Sequence, residues 1–296
     1  MVRVGAARGR GRSEVRVSYL QFSVTDRDDT ATAGARLLDL EPGLSVPEIA
    51  RLARAFARSG ITRVRLAGGE PLLRDEVIAI VETFARQPGI SVLAMTTDGV
   101  HLARYAEPLL WAGLQRLTIT LDTLDRDTYR RLAGHDSLPQ VLAGLEAACR
   151  LPFQQVCVSA VIRRGLNDGE LPAFVALARD TAVTVRLSET SPRDESDTEW
   201  VAQFVPAADL RARLADLGLT FETRADVARA HLPGGGVVEV VAAVSDRALR
   251  PWLHLQVDNF GRLTSVKTRP TEDLRPWIAS PDLEEHVREA VRRAET

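Results

Sequence analysis

The sequence predicts an α/β fold built as an open or incomplete parallel barrel, and three observations carry that prediction. From Ile61 to Leu187, short apolar runs alternate with segments whose apolar residues recur near every 3.6 positions. The runs end in polar segments, several of them containing glycine, as strand ends do at the mouth of a parallel barrel. Past Ser191 the alternation stops and strand-like segments prevail. Alternating strand and helix patterns indicate βα units on a parallel sheet. Short connections and right-handed crossovers make a barrel, or a curved part of one, the economical closure.

In chain order, Val15 to Val24 alternates β-formers with polar residues and reads as a strand. A loop from Thr25 to about Gly43 follows. Ser45 then caps a helix carrying Ile49, Leu52 and Phe56, stopped by Gly60. Strands are expected at Ile61–Leu66, Ser91–Met95, Leu117–Leu121, Val156–Ile162 and Val183–Leu187. Between them, Val77–Phe84, Leu102–Trp111, Val141–Cys149 and Leu171–Ala178 read as helices. After a loop with Pro192, Arg193, Asp194 and Glu195, a helix spans Ala207–Leu217. Antiparallel strands are then expected at Thr220–Thr223, Val237–Val244, Trp252–Val257 and Leu263–Lys267. Gly234-Gly235-Gly236 has no helix after it and reads as a turn rather than a phosphate loop. An amphipathic helix begins near Pro281. The expected organisation is a disordered basic tail over 1–13, a barrel core over 14–190, and an extension over 191–296 packed on the barrel.

Composition narrows the functional classes. With 296 residues and 45% hydrophobic residues there is material for a large core. The formal net charge of -2 argues against a nucleic-acid partner. No apolar run approaches the roughly 20 residues that span a bilayer, so a membrane protein is not expected. Cys149 and Cys157 are the chain's 2 cysteines, and they fall in different elements. They read as small buried thiols in a reduced, cytoplasmic setting.

The strand ends carry a recognisable set of motifs. In order they are YLQFSVTDR (Tyr19 to Arg27), RVRLAGGEPLLR (Arg63 to Arg74), TTDGVHLA (Thr96 to Ala103), LTITLDTLD (Leu117 to Asp125), AVIRRGLNDGEL (Ala160 to Leu171), FVP (Phe204 to Pro206) and VSD (Val244 to Asp246). Together they closely resemble the radical-SAM GTP cyclase of molybdenum-cofactor biosynthesis, the MoaA family. The resemblance implies an incomplete (βα)6 TIM-like barrel of radical-SAM type with a small C-terminal β-rich extension.

Carried over position by position, the resemblance also marks departures. The family follows SVTDR with a Cys-x3-Cys-x2-Cys loop that binds an iron–sulfur cluster; here those places hold Asp28, Thr32 and Ala35. The three cysteines of the family's second cluster fall on Leu249, Trp252 and Val266. Clusters need thiolate ligands, so no iron–sulfur cluster or other metal is expected. The family's substrate-binding arginines align with Gln21, His254 and Gln256, and a lysine of the fifth strand with Cys157. Gln and His offer a phosphate much less than the charged fork of Arg. Arg63 and Arg65 do match basic positions near the family's substrate. The positions that meet S-adenosylmethionine are kept at Gly68, Gly69, Glu70, Pro71, Thr96, Thr97 and Thr120.

Two functional expectations follow. In the first, the chain binds S-adenosylmethionine or a related nucleoside and performs polar rather than radical chemistry in a biosynthetic pathway. That chemistry would be methyl or aminocarboxypropyl transfer, or elimination and cyclisation. Glu70, Asp26 and Asp122 are the candidate acids and bases. Gln21, Arg63, Arg65, His254 and Gln256 are the candidate substrate contacts. In the second, the chain is a non-catalytic scaffold or regulatory partner, working through a protein partner or a second copy of itself. Lys267, beside a former cysteine position, reads as a solvated side chain.

Overall fold

Parallel pairing organises the fold. In chain order the elements are β1 (Tyr19–Ser23), α1 (Val46–Arg58), β2 (Arg63–Ala67), α2 (Val77–Ala85), β3 (Val92–Thr97), α3 (Leu102–Trp111), β4 (Arg116–Thr120), α4 (Arg126–Ala133), α5 (Leu138–Cys149), β5 (Gln155–Ile162), α6 (Leu171–Thr181) and β6 (Thr184–Glu189). There follow α7 (Thr198–Gln203), α8 (Ala207–Asp216), β7 (Glu222–Arg224), β8 (Val227–His231), β9 (Val237–Val241), β10 (Leu255–Val257), β11 (Arg262–Ser265), β12 (Thr271–Asp273), α9 (Arg275–Ile278) and α10 (Leu283–Glu295). This computed structural model describes residues 18–28, 43–190, 198–224, 227–242, 255–265 and 271–295. The basic stretch 1–13, the loop 192–195, and Thr32, Ala35, Leu249, Trp252, His254, Val266 and Lys267 lie outside the described residues.

All the strands join one 12-stranded sheet, in the order β12-β11-β10-β1-β2-β3-β4-β5-β6-β9-β8-β7. From β10 through β9 every neighbouring pair is parallel. The sheet does not close among the described residues, because β12 and β7 are its edges. The result is a partial TIM-like barrel whose C-terminal strands extend both flanks.

The strands expected at Val237–Val244 and Trp252–Val257 do pair antiparallel, β9 with β8 and β10 with β11, while on their other sides β9 pairs in parallel with β6 and β10 with β1. Their apolar, alternating sequences suit either direction, and only the connection decides. The Gly234–Gly236 segment does turn the chain between antiparallel β8 and β9.

Local sequence explains the helices. Glu48 accepts a bond from the Ser45 amide at 2.8 Å at the start of α1, half of a capping box, with Pro47 in the first turn. The sequence reading passed over α4, which Asp125 caps by accepting from the Thr128 amide at 2.8 Å, and which Gly134 ends at φ 77°. Helix α10 lies along α1, with Arg58 and Glu284 paired at its edge. Among the described residues no helix is long and apolar enough to cross a membrane.

Strand alternation sends one set of side chains to the helices and the other to the concave face. Phe22, Phe56, Phe84 and Phe174 are fully buried on the helix side. Phe22 of β1 meets Phe84 of α2 edge to face, with centroids 5.2 Å apart. We expect Phe22→Ala to cost about 3–5 kcal/mol of stability, read as a lowered midpoint in urea. A cost under about 1 kcal/mol would show that this contact does not fasten β1 to the barrel.

Candidate functional site

The C-terminal ends of β1, β2 and β3 meet at a turn built on two glycines. After β2, the Gly69 amide donates to the Thr25 carbonyl at 2.9 Å and the Glu70 amide to the Arg27 carbonyl at 2.7 Å. Gly68 sits at φ +145°, and a Cβ there would lie 2.2 Å from the Thr25 oxygen. A Cβ on Gly69 would lie 2.0 Å from the Arg27 oxygen. Both glycines are therefore required by the close approach of this turn to the segment after β1. Arg74 ties the same region down, donating to the Val24 and Leu44 carbonyls at 2.6 Å each.

Glu70 is 2% exposed and faces inward. One carboxylate oxygen accepts from the Leu72 amide at 2.8 Å and the Thr97 hydroxyl at 2.7 Å. The other accepts from the Asp98 amide at 2.7 Å. Burial, reinforced by the nearby charge of Asp98, pushes its pKa up to about 8, against the three donors that favour the ion. Pro71 opens the 3₁₀ turn Pro71–Leu73 that Glu70 caps. Thr97 thus faces Glu70, and it also accepts from the Gly99 amide. Thr96 alternates to the concave face, where its hydroxyl is buried and makes no hydrogen bond with any described residue. On the neighbouring strand the Thr120 hydroxyl donates to the Thr97 carbonyl at 3.3 Å.

Asp122, just after β4, accepts from the Val161 amide at 2.9 Å and pairs with Arg163 at 3.3 Å. Burial raises its carboxyl, opposed by that amide and that guanidinium. Buried Asn167 holds the surrounding loop by donating to the Asp122 and Val161 carbonyls. Asp26 differs from both: it is exposed at the mouth and makes no hydrogen bond or ion pair with any described residue.

Deeper on the concave face, Gln256, Gln21 and Arg65 form one row across β10, β1 and β2. The Arg65 guanidinium stands 5.8 Å from the centre of the Tyr19 ring. Arg63 lies two residues nearer the foot of β2 and is exposed, apart from that row. His254 lies outside the described residues. The sequence reading missed a charged group across the face. Glu239 of β9, 3% exposed, bonds Arg186 of β6 at 2.9 Å and Arg229 of β8 at 2.8 Å. The three are in register on adjacent strands. Only strand pairing brings them together, so no local sequence signal could have found them.

The thiols lie elsewhere. Cys157 is buried in the middle of β5, and burial pushes its pKa up. Cys149 ends α5, half-buried and also raised by burial.

Residues 30–178 match the Radical SAM superfamily. The GTP 3′,8-cyclase of Acidothermus cellulolyticus is 45% identical over 173 residues, which are 58% of this chain and 48% of that protein. The GTP 3′,8-cyclase of Heliobacterium modesticaldum is 32% identical over 273 residues, 88% of this chain and 84% of that protein. The chain thus spans about half the length of the first relative and most of the second. Among solved structures, Streptococcus suis SuiB bound to S-adenosylmethionine superposes with a TM-score of 0.64 at 11% identity, covering 93% of this chain and 68% of that one, a likeness of fold.

The Glu70 pKa carries a consequence for stability. Between its ordinary value of 4.5 and about 8, the native state holds a proton that the unfolded chain has released. Stability should therefore fall as pH rises through that window and level off below it. In Glu70→Gln that decline, expected to exceed about 1 kcal/mol, should flatten in urea midpoints taken across the window. Parallel curves for the two proteins would assign the decline to another group.

Proposed function

Because the chain belongs to the radical-SAM GTP 3′,8-cyclase family, we propose that its strand-end rim binds S-adenosylmethionine or a related nucleoside. The observation that carries this reading is Thr96. A buried hydroxyl without a partner is costly, and this one, unpartnered among the described residues, lies on the concave face level with Thr118 of β4, two residues before Thr120, above the row of Gln21, Arg65 and Gln256. A ligand with polar ribose and amino-acid groups would satisfy it. Gly68 and Gly69 are explained by packing against Thr25 and Arg27, so they lend the proposal a rim but no separate support.

The residues present do not suit an iron–sulfur cluster. Such a cluster is held by thiolates, and the chain's 2 cysteines sit at the end of α5 and within β5 rather than at the strand ends. Exposed Asp28 follows the β1 segment where the family's first cysteine stands. No step is therefore routed through a cluster.

The chemistry proposed is polar. A sulfonium is already activated at its three adjoining carbons, so the protein need only orient it, supply a base and exclude water. Thr96 and Thr120 would orient the ligand, and Arg65 with Gln21 and Gln256 would meet the second substrate. Of the three candidate carboxylates, Asp26 is the one open at the mouth, and it is the proposed base. Glu70 and Asp122 hold backbone amides and would keep the strand ends in place. Transfer of a methyl or aminocarboxypropyl group, or elimination from the ligand, are the outcomes within reach of this arrangement.

Calorimetric titration with S-adenosylmethionine, followed by mass spectrometry of the ligand, tests the proposal. Binding is expected, weakened about tenfold in Thr96→Val by the loss of one hydroxyl contact. The absence of heat with both S-adenosylmethionine and its demethylated product would remove it.

A further inference from the structure

At the opposite end of the strands lies a second cavity, of about 650 Å³. It is bordered by the first residues of four parallel strands: Arg116 of β4, Gln155 of β5, Thr184 of β6 and Val237 of β9. Roughly 25 Å of strand, at about 3.3 Å per residue over β5, separates this foot from the strand-end rim. The volume is that of a small-molecule site.

The charges around it favour an anion. Arg116 is exposed and its side chain makes no hydrogen bond or ion pair with any described residue. Arg229 binds Glu239 through Nε and also lines the cavity. His231, the last residue of β8, lines the same space. The one carboxylate in the wall, Glu239, is already neutralised by Arg186 and Arg229. The rest of the wall is partly apolar, with Phe153 and Val183 facing the space. Ala182, at φ +57°, borders the cavity as the left-handed residue that ends α6.

We propose that the foot of the barrel is a separate binding site for a small phosphorylated ring compound, with Arg116 and Arg229 holding the phosphate and Phe153 meeting the ring. Two arginines present charged donors that match phosphate oxygens. The aromatic wall adds apolar contact that an inorganic ion could not use. This site is independent of the sulfonium pocket proposed at the other end.

The cysteines supply a readout in the full chain. Cys149 lines the cavity, whereas Cys157 is buried outside it. Alkylation of Cys149 by iodoacetamide, followed by mass spectrometry with Cys157 as the internal reference, should slow in the presence of phenyl phosphate. Phenol, which has the ring without the anion, should not protect. Arg116→Gln should weaken protection about tenfold, and Arg116→Lys less. Absence of protection by phenyl phosphate would overturn the proposal. So would equal protection by phenol, a result that does not depend on any variant folding. Protection unchanged in Arg116→Gln would overturn it as well.

Discussion

The Glu70 carboxylate is the joint on which the strand-end rim depends. It gathers the backbone of the turn after β2, the Thr97 hydroxyl at the end of β3 and the start of the β3–α3 connection. The same turn binds the segment after β1 through Gly69 and Glu70 amides. Hydrogen bonds to a charged acceptor contribute about 1.5–3 kcal/mol each, while burying the carboxylate costs several kcal/mol. Burial outweighs those bonds, which is why the group is raised toward neutrality and yet remains fully bonded. Any ligand at this rim finds a surface that is assembled before it arrives.

Charge on the concave face is arranged in layers. At the rim, Asp26 is the open carboxylate. In the middle, Gln21 and Gln256 flank Arg65, and Arg186 is tied to Glu239. The bond between Glu239 and Arg186 crosses the β6–β9 junction and ties those strands together. At the foot, exposed Arg116 makes no side-chain hydrogen bond or ion pair among the described residues. Under the two proposals, a sulfonium would bind at the rim and a phosphate at the foot.

Much of this was legible from the residues. The alternation of period 2 and 3.6 located β2 to β6, and the expected helix Leu102–Trp111 coincides with α3. Helix α4 was missed because RDTYRRLA has little apolar content, although Asp125 and Gly134 marked both its ends. The parallel entry of β9 and β10 was missed because direction resides in the path of the chain, not in the strand. The same limit hid Arg186, Glu239 and Arg229, which are distant in sequence and adjacent only through pairing. Thr96 and Thr97 looked equivalent as a motif; alternation separates them, one on the concave face and one toward Glu70. The Gly-Gly-Glu-Pro motif suggested a ligand, and the coordinates explain its glycines by close packing of backbone on backbone.

The central claim is that a sulfonium nucleoside sits at the strand-end rim. Amide hydrogen exchange with and without S-adenosylmethionine tests it most directly, because exchange reports where binding occurs. The account predicts slower exchange at Thr25–Arg27, Gly68–Leu72 and Thr96–Gly99, with Phe153–Val156 at the foot unchanged. Slowing confined to the foot, or none at saturating ligand, would contradict it.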